Sequence, residues 1–235
     1  MLKYTKDICG NDLLTDKDDN QIMMEWEKPY MEACIDNLDI SGSVLEVGFG
    51  LGYSARRICS SPNITEYSVI ESSPEVWGKF EEFRNDFSHI KMNLIKGRWE
   101  DVLCLCKKYD RCFFDDFSSQ QELSRFGNFF LNFVKNHFNM NCKIGAYSTT
   151  PAKLNLTGIK TSSIKYEINI PSYCKYAKGN IMYINTFELV DKLNEKELII
   201  FKNRLNAHKT TGKLKGKPVF VAVAGTASTI SFNQQ

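Results

Sequence analysis

The sequence predicts an α/β fold: a seven-stranded, mostly parallel sheet with helices on both faces, followed by a C-terminal extension. Three observations predict it. Strand-like and helix-like stretches alternate from residue 43 to residue 148, the pattern of a parallel sheet whose crossovers are helices. The run Val44-Leu45-Glu46-Val47-Gly48-Phe49-Gly50-Leu51-Gly52 reads as a buried strand that breaks into a glycine-rich turn and opens a helix from Tyr53 to Ser60. Two β-rich runs, 163–170 and 180–189, flank Pro171 to Gly179 and suggest an antiparallel pair.

Taken in order, residues 1–20 are polar, with Gly10, Asn11 and the cluster Asp16-Lys17-Asp18-Asp19-Asn20. They read as an irregular arm or lid. Residues 21–190 form the main domain. It opens with a helical stretch at 21–38 that contains Met23, Met24, Trp26 and Pro29. Strands are expected at 43–48, 66–71, 90–95, 111–115 and 142–148, and helices at 52–60, 74–86, 99–108 and 119–138. Ser73-Pro74-Glu75 is a helix start, with a capping hydroxyl and proline at the first position. From Pro151 to Ser163 no long helix is evident. The extension, 191–235, reads as an amphipathic helix (Asp191 to His208), a basic linker (Lys209 to Pro218) and an apolar strand (Pro218 to Ala224). The linker is either solvated or, as the lesser reading, a nucleic-acid or partner contact. The strand either joins the sheet or docks on a second subunit as a homodimer contact.

Composition narrows the class. The 235 residues, 43% hydrophobic, suit one sizeable domain or one domain plus an appendage. A net charge of +2 gives no electrostatic case for nucleic acid or an anionic membrane. No run approaches a membrane span, and the start lacks the apolar core of a signal peptide, so a cytoplasmic protein is expected. The eight cysteines form no Cys-x-x-Cys, and with three histidines no metal site is expected. They read as reduced thiols in apolar positions.

Glu46 is the unusual part of the glycine run. A dinucleotide fingerprint is G-x-G-x-x-G, whereas this chain has E-x-G-x-G-x-G. That form resembles motif I of the class I S-adenosylmethionine-dependent methyltransferases. The resemblance implies a Rossmann-like fold, S-adenosylmethionine as cofactor and S-adenosylhomocysteine as product. Ligands of such sheets bind outside the carboxyl ends of the strands. The second strand ends at Glu71, roughly 20 residues past the glycines, the spacing of a ribose-hydroxyl acceptor. After the third strand comes Gly97-Arg98-Trp99-Glu100-Asp101. Trp99 either helps to hold an adenine ring or simply starts a helix and packs.

Two further features point to the methyl acceptor: Met23-Met24-Glu25-Trp26-Glu27-Lys28-Pro29-Tyr30-Met31, and Phe113-Phe114-Asp115-Asp116-Phe117 at the end of the fourth strand. Acids in apolar surroundings suit a small, planar, cationic acceptor, and a carboxylate matches the paired N–H groups of a guanidinium. Together with Lys-Gly-x-Trp-Glu-Asp, these blocks resemble guanidinoacetate N-methyltransferase and the related arginine N-methyltransferases, from about residue 20 to 190. The segment Pro171-Ser172-Tyr173-Cys174-Lys175-Tyr176 adds to the likeness.

The resemblance implies that Met23 and Met31 line the cofactor, and that Glu27 and Asp115 hold the guanidino group as the catalytic pair. It also implies cofactor contacts from Glu46, Gly48, Phe49, Gly50, Leu51, Gly52, Tyr53, Ser54, Glu71, Ser72, Arg98, Trp99 and Asp115. The chain departs from the family where Asp-Thr-Tyr becomes Asp115-Asp116-Phe117, which adds Asp116 to the expected acceptor pocket. It departs again where Asn-Leu-Thr-Ser becomes Ser148-Thr149-Thr150-Pro151, with Thr149 the expected substrate contact. The tail has no recognised counterpart. Three functions follow: a small-molecule guanidino N-methyltransferase, a methyltransferase with another acceptor, or a non-catalytic cofactor-binding or scaffolding protein.

Overall fold

The computed structural model describes residues 1–116 and 125–211, the side chains of 207–211 excepted. Its main sheet has seven strands: β4 (Gly42–Val47), β5 (Ile64–Glu71), β6 (Lys91–Lys96), β7 (Tyr109–Phe114), β8 (Phe138–Ala146), β9 (Ile159–Glu167) and β10 (Ile181–Leu189). Their spatial order is β6-β5-β4-β7-β8-β10-β9. The first five run parallel, and β10 is antiparallel to both β8 and β9. The chain builds outward from β4 to β6 and then crosses back to place β7 on the other side of β4. The switch point therefore falls between the carboxyl ends of β4 and β7, where a crevice forms in such sheets.

Both faces of this sheet are covered. One core holds Tyr30, Met31, Leu38, Ile58 and Phe80, from α1 (Lys28–Leu38), α2 (Tyr53–Cys59) and α3 (Pro74–Asn85). The other holds Trp99, Leu103, Phe129, Phe133 and Phe201, from α4 (Trp99–Val102) and the 3-10 turn that follows it, α5 (Arg125–Asn136) and α6 (Glu195–Thr211). Strands buried on both faces explain why Val44 to Val47 is nearly continuous in apolar character, interrupted only by Glu46.

The N-terminal segment departs from the expectation of an irregular arm and a helix from residue 21. It is an antiparallel sheet of β1 (Lys3–Lys6), β2 (Asp12–Thr15) and β3 (Gln21–Met24). Two similar turns drive it. Asp7 Oδ1 accepts the N–H groups of Cys9 and Asn11, and Asp16 Oδ1 accepts those of Asp18 and Asn20. Each aspartate thus replaces the backbone acceptors that the turn lacks. Leu13, Leu14, Met23 and Met24 are buried by the pairing. After a 3-10 turn at Glu25–Glu27, Pro29 in the first turn of α1 sets the helix start.

Other boundaries shift for local reasons. Ser73 sits at the cap of α3, but its hydroxyl makes no cap bond; its N–H instead donates to Glu71 Oε1 at 2.7 Å. The helix expected at 99–108 ends early, as four α-helical residues and a 3-10 turn at Leu103–Leu105. Full-length pairing with β10, from Ile159 opposite Leu189 to Glu167 opposite Ile181, starts β9 before residue 163. Among the described side chains of α6, Phe201 and Leu205 are buried, while Ile199 and Ile200 are exposed.

The predicted helix before residue 125, Phe117, the basic linker beyond Thr211 and the apolar strand Pro218 to Ala224 with its homodimer contact lie outside the described residues. All eight cysteines are unpaired, and five of them are buried. Among the described residues, no helix is long and apolar enough to cross a membrane.

Candidate active site

The glycine turn joins β4 to α2 at the switch point. Gly48, at φ +88°, carries no Cβ because a Cβ there would collide with the backbone carbonyl of Asp115. Its role is to let the tips of β4 and β7 touch; Asp115 N–H donates to Val47 O at 2.9 Å across the same seam. Gly50, at φ +53°, faces the sulfur of Met23, 2.7 Å from where a Cβ would stand. That sulfur accepts the Leu51 N–H at 3.3 Å, and Tyr4 Oη donates to Gly50 O at 3.1 Å. The N-terminal sheet therefore lies on the turn. The side chain of Phe49 is buried among Phe80 and Phe83, leaving only its backbone at the turn.

Four acids converge here. Glu71, at the end of β5, accepts the N–H of Phe49 at 2.9 Å and of Ser73 at 2.7 Å, stitching the turn to its neighbour strand. Burial raises its carboxyl. Glu46 is fully buried; one oxygen accepts the Tyr67 phenol and the other, Oε1, has no hydrogen-bond partner. Burial pushes it up to about 7. Glu27, at the end of the 3-10 turn, accepts the Met24 N–H at 2.9 Å and the Tyr176 phenol. Burial pushes it up to about 7, against the pull of Tyr176, the Met24 N–H and Tyr147. Asp115 is raised well above the usual carboxylate range by burial, then by the charges of Glu27, Glu46, Asp116 and Glu71. Among the described residues, no lysine or arginine pairs with Glu27, Glu46, Glu71 or Asp115.

The remaining predicted positions are distributed as follows. Met31 is wholly buried in the first core, and Ser54 is buried at the start of α2. Ser72 is exposed, and Arg98 projects to solvent, paired with Glu100 at 3.0 Å. Trp99 is buried, packed edge-on against Phe114 and Phe129. Thr149 Oγ1 is buried without a partner. Asp116, expected in the acceptor pocket, is engaged elsewhere: it accepts Trp99 Nε1–H at 2.9 Å and the guanidinium of Arg125.

Several site residues were not singled out from the sequence. Tyr176 was quoted without a role; it holds Glu27 and stacks on Trp26. Tyr30 Oη accepts the Ser148 N–H and donates to Tyr183 O, both at 2.9 Å, and so fixes α1 to the ends of β8 and β10. The Tyr147 ring meets Tyr30 edge-on. Tyr147 and Tyr176 lie far from Glu27 in sequence, and Tyr30 lies far from its partners Ser148 and Tyr183, so spacing held no signal for these contacts.

An S-adenosylmethionine-like donor fits the residues present. Trp26 Nε1, Tyr53 Oη, Tyr147 Oη and Thr149 Oγ1 are buried polar atoms without partners, as is Glu46 Oε1. Such orphans are costly unless a ligand or water meets them.

The family model described as guanidinoacetate N-methyltransferase matches residues 16–169 of the chain. The chain belongs to the guanidinoacetate N-methyltransferase family. The matched span holds β4, the glycine turn, Glu27, Glu71 and Asp115. A curated relative, protein arginine N-methyltransferase 2 of Candida glabrata, is 31% identical over 121 residues, 48% of this chain and 27% of that protein. The chain thus spans about a quarter of that relative's length.

Solved structures agree on the fold of this guanidinoacetate N-methyltransferase family member. The precorrin-6y C5,15-methyltransferase of Geobacter metallireducens superposes with a TM-score of 0.51 at 13% identity, over 75% of this chain and 93% of that one. The O-methyltransferase TomG of Streptomyces achromogenes, determined in complex with SAM, gives 0.51 at 15% identity, over 70% and 80% of the two chains. The fold is the Rossmann-like class I methyltransferase fold, with its seven-stranded, mostly parallel sheet.

Proposed function

We propose that this chain is an S-adenosylmethionine-dependent N-methyltransferase acting on the guanidino group of a small molecule. One observation carries the reading: three buried acids, Glu27, Glu46 and Glu71, gather with the half-buried Asp115 at the switch point, and among the described residues no basic side chain compensates them. Buried carboxyls without a cationic partner either stay protonated or await a cation. A sulfonium donor and a guanidinium acceptor are both cationic. Membership in the guanidinoacetate N-methyltransferase family supports the same acceptor class.

When bound, the donor supplies an activated methyl group on sulfur. The protein's part is alignment and proton management. Glu27 and Asp115 grip the planar guanidino group and orient one nitrogen, and such orientation supplies much of the rate in a transfer of this kind. One of the pair takes the proton that the nitrogen loses. Glu27, pushed up to about 7, is matched to that task near neutral pH. Tyr176 holds Glu27 in place, and Tyr30 holds α1 beside it. The N-terminal sheet, resting on the turn through Tyr4 and Met23, keeps water from the donor.

Calorimetry with S-adenosylhomocysteine tests the cofactor half; folded protein that gives no binding heat removes the proposal. Methyl uptake by guanidinoacetate, agmatine, arginine and an arginine-containing peptide tests the acceptor half. The peptide is included because the curated relative is named a protein arginine N-methyltransferase. Asp115→Asn abolishes transfer and spares S-adenosylhomocysteine binding; retained turnover refutes the acceptor role of Asp115.

A further inference from the structure

We infer that Asp116 is a positioning residue for the cofactor half of the site: with Arg125 it latches the indole of Trp99 across the crevice. The inference rests on the cofactor reading above. Strand order separates β6 from β7 by two intervening strands, β5 and β4. Yet Trp99, two residues beyond the turn that ends β6, donates Nε1–H to Asp116 Oδ2, just past β7, at 2.9 Å. The link therefore spans the carboxyl ends of β5 and β4 along the face of the sheet that holds Trp99. Its β6 end is tied down as well, because Gly97 N–H donates to Glu71 O at 3.0 Å. Below, the indole packs on Phe114 and in one core with Val47 and Ile70, the last residues of three strands or their neighbours.

Arg125 completes the latch from the first turn of α5. Its Nε donates to Asp116 Oδ2 at 2.7 Å, its Nη1 to Glu100 Oε1 at 2.9 Å, and its guanidinium lies 5.7 Å from the Trp99 ring centre. The side chains of Arg125 and Asp116 are only 16% and 17% exposed. A pair so far removed from water is held firmly, and loss of one partner strands the other. The charge of Asp116 is met by Arg125, so it is not offered to an acceptor cation. Of the two adjacent acids, Asp115 alone is left for the acceptor.

Calorimetric titration with S-adenosylhomocysteine and with agmatine separates the roles, alongside the indole N–H resonance of Trp99. Asp116→Ala and Arg125→Gln each weaken S-adenosylhomocysteine binding about tenfold, as expected when a buried donor or charge is stranded. Asp116→Ala also moves the indole resonance upfield, and both variants leave agmatine affinity within about twofold. Asp116→Asn keeps an acceptor oxygen for Trp99 and restores most of the affinity that Asp116→Ala loses. The latch is overturned if folded Asp116→Ala binds S-adenosylhomocysteine as the parent does, or if agmatine affinity falls instead. Absence of S-adenosylhomocysteine binding by the parent protein sinks the functional reading itself; normal parental binding with unaffected variants sinks only the latch.

Discussion

Tyr176, itself half-buried, donates its phenol to the buried Glu27. A donor to a carboxylate favours the charged form. Tyr176→Phe removes it, so Glu27 rises further above about 7. The acid limb of the rate profile then moves to higher pH by about one unit, with turnover at neutral pH falling several-fold. A pH–rate series on the two proteins checks this; superimposable profiles would mean that Glu27 is not the group that titrates. Glu46 and Glu71 were named from sequence because acids beside a glycine run and at a strand end stand out, whereas the roles of Glu27 and Asp115 came from the family resemblance. Tyr176 and Tyr30 were not, since their partners lie 149 and 153 residues away. Asp116 shows the converse. Its neighbour relation to Asp115 suggested a shared pocket, but successive residues leave a strand end in different directions, and Arg125 claims it.

Among the elements, the glycine turn is the most sharply constrained. Gly48→Ala forces a non-glycine residue to φ +88° and drives a Cβ against the Asp115 carbonyl. Backbone strain of this kind costs about 1–3 kcal/mol, and the collision adds to it by pushing β4 and β7 apart. Urea denaturation gives the loss directly, and S-adenosylhomocysteine affinity falls with it. An unchanged midpoint would contradict the close approach of the two strand tips. The strands and helices from 43 to 148 were legible because period and punctuation agree there. The N-terminal sheet was not, because its strands are four residues long and its polar turns resemble a loop. The repeated Asp-x-x-x-Asn of Asp7–Asn11 and Asp16–Asn20 was the available signal.

At the scale of the whole molecule, the acid cluster links stability to pH. Glu27 and Glu46 have an ordinary value of 4.5 and are pushed up to about 7 by the fold. Between those values the folded protein binds more protons than the unfolded chain, so stability falls as pH rises through that window. It is fully present below about 4.5 and has been lost by somewhat above 7. Each group is worth roughly 3 kcal/mol at the order-of-magnitude level. Carboxyls held low, such as Asp110, act in the opposite sense but at lower pH. Urea midpoints of the ligand-free protein should therefore drop from pH 5 to pH 8, and Glu46→Gln should flatten the curve; a midpoint that climbs over this range removes the uncompensated cluster. The sequence by itself determined the alternating α/β plan, the glycine turn and the acids at the strand ends, because period, residue size and spacing act locally along the chain. Only the tertiary structure decided which phenol grips Glu27, that the first strands rest on the turn, and that Asp116 pairs with Trp99 and Arg125. Those outcomes depend on which strand tips become neighbours and on where burial strips charges of water, and both are properties of the assembled sheet.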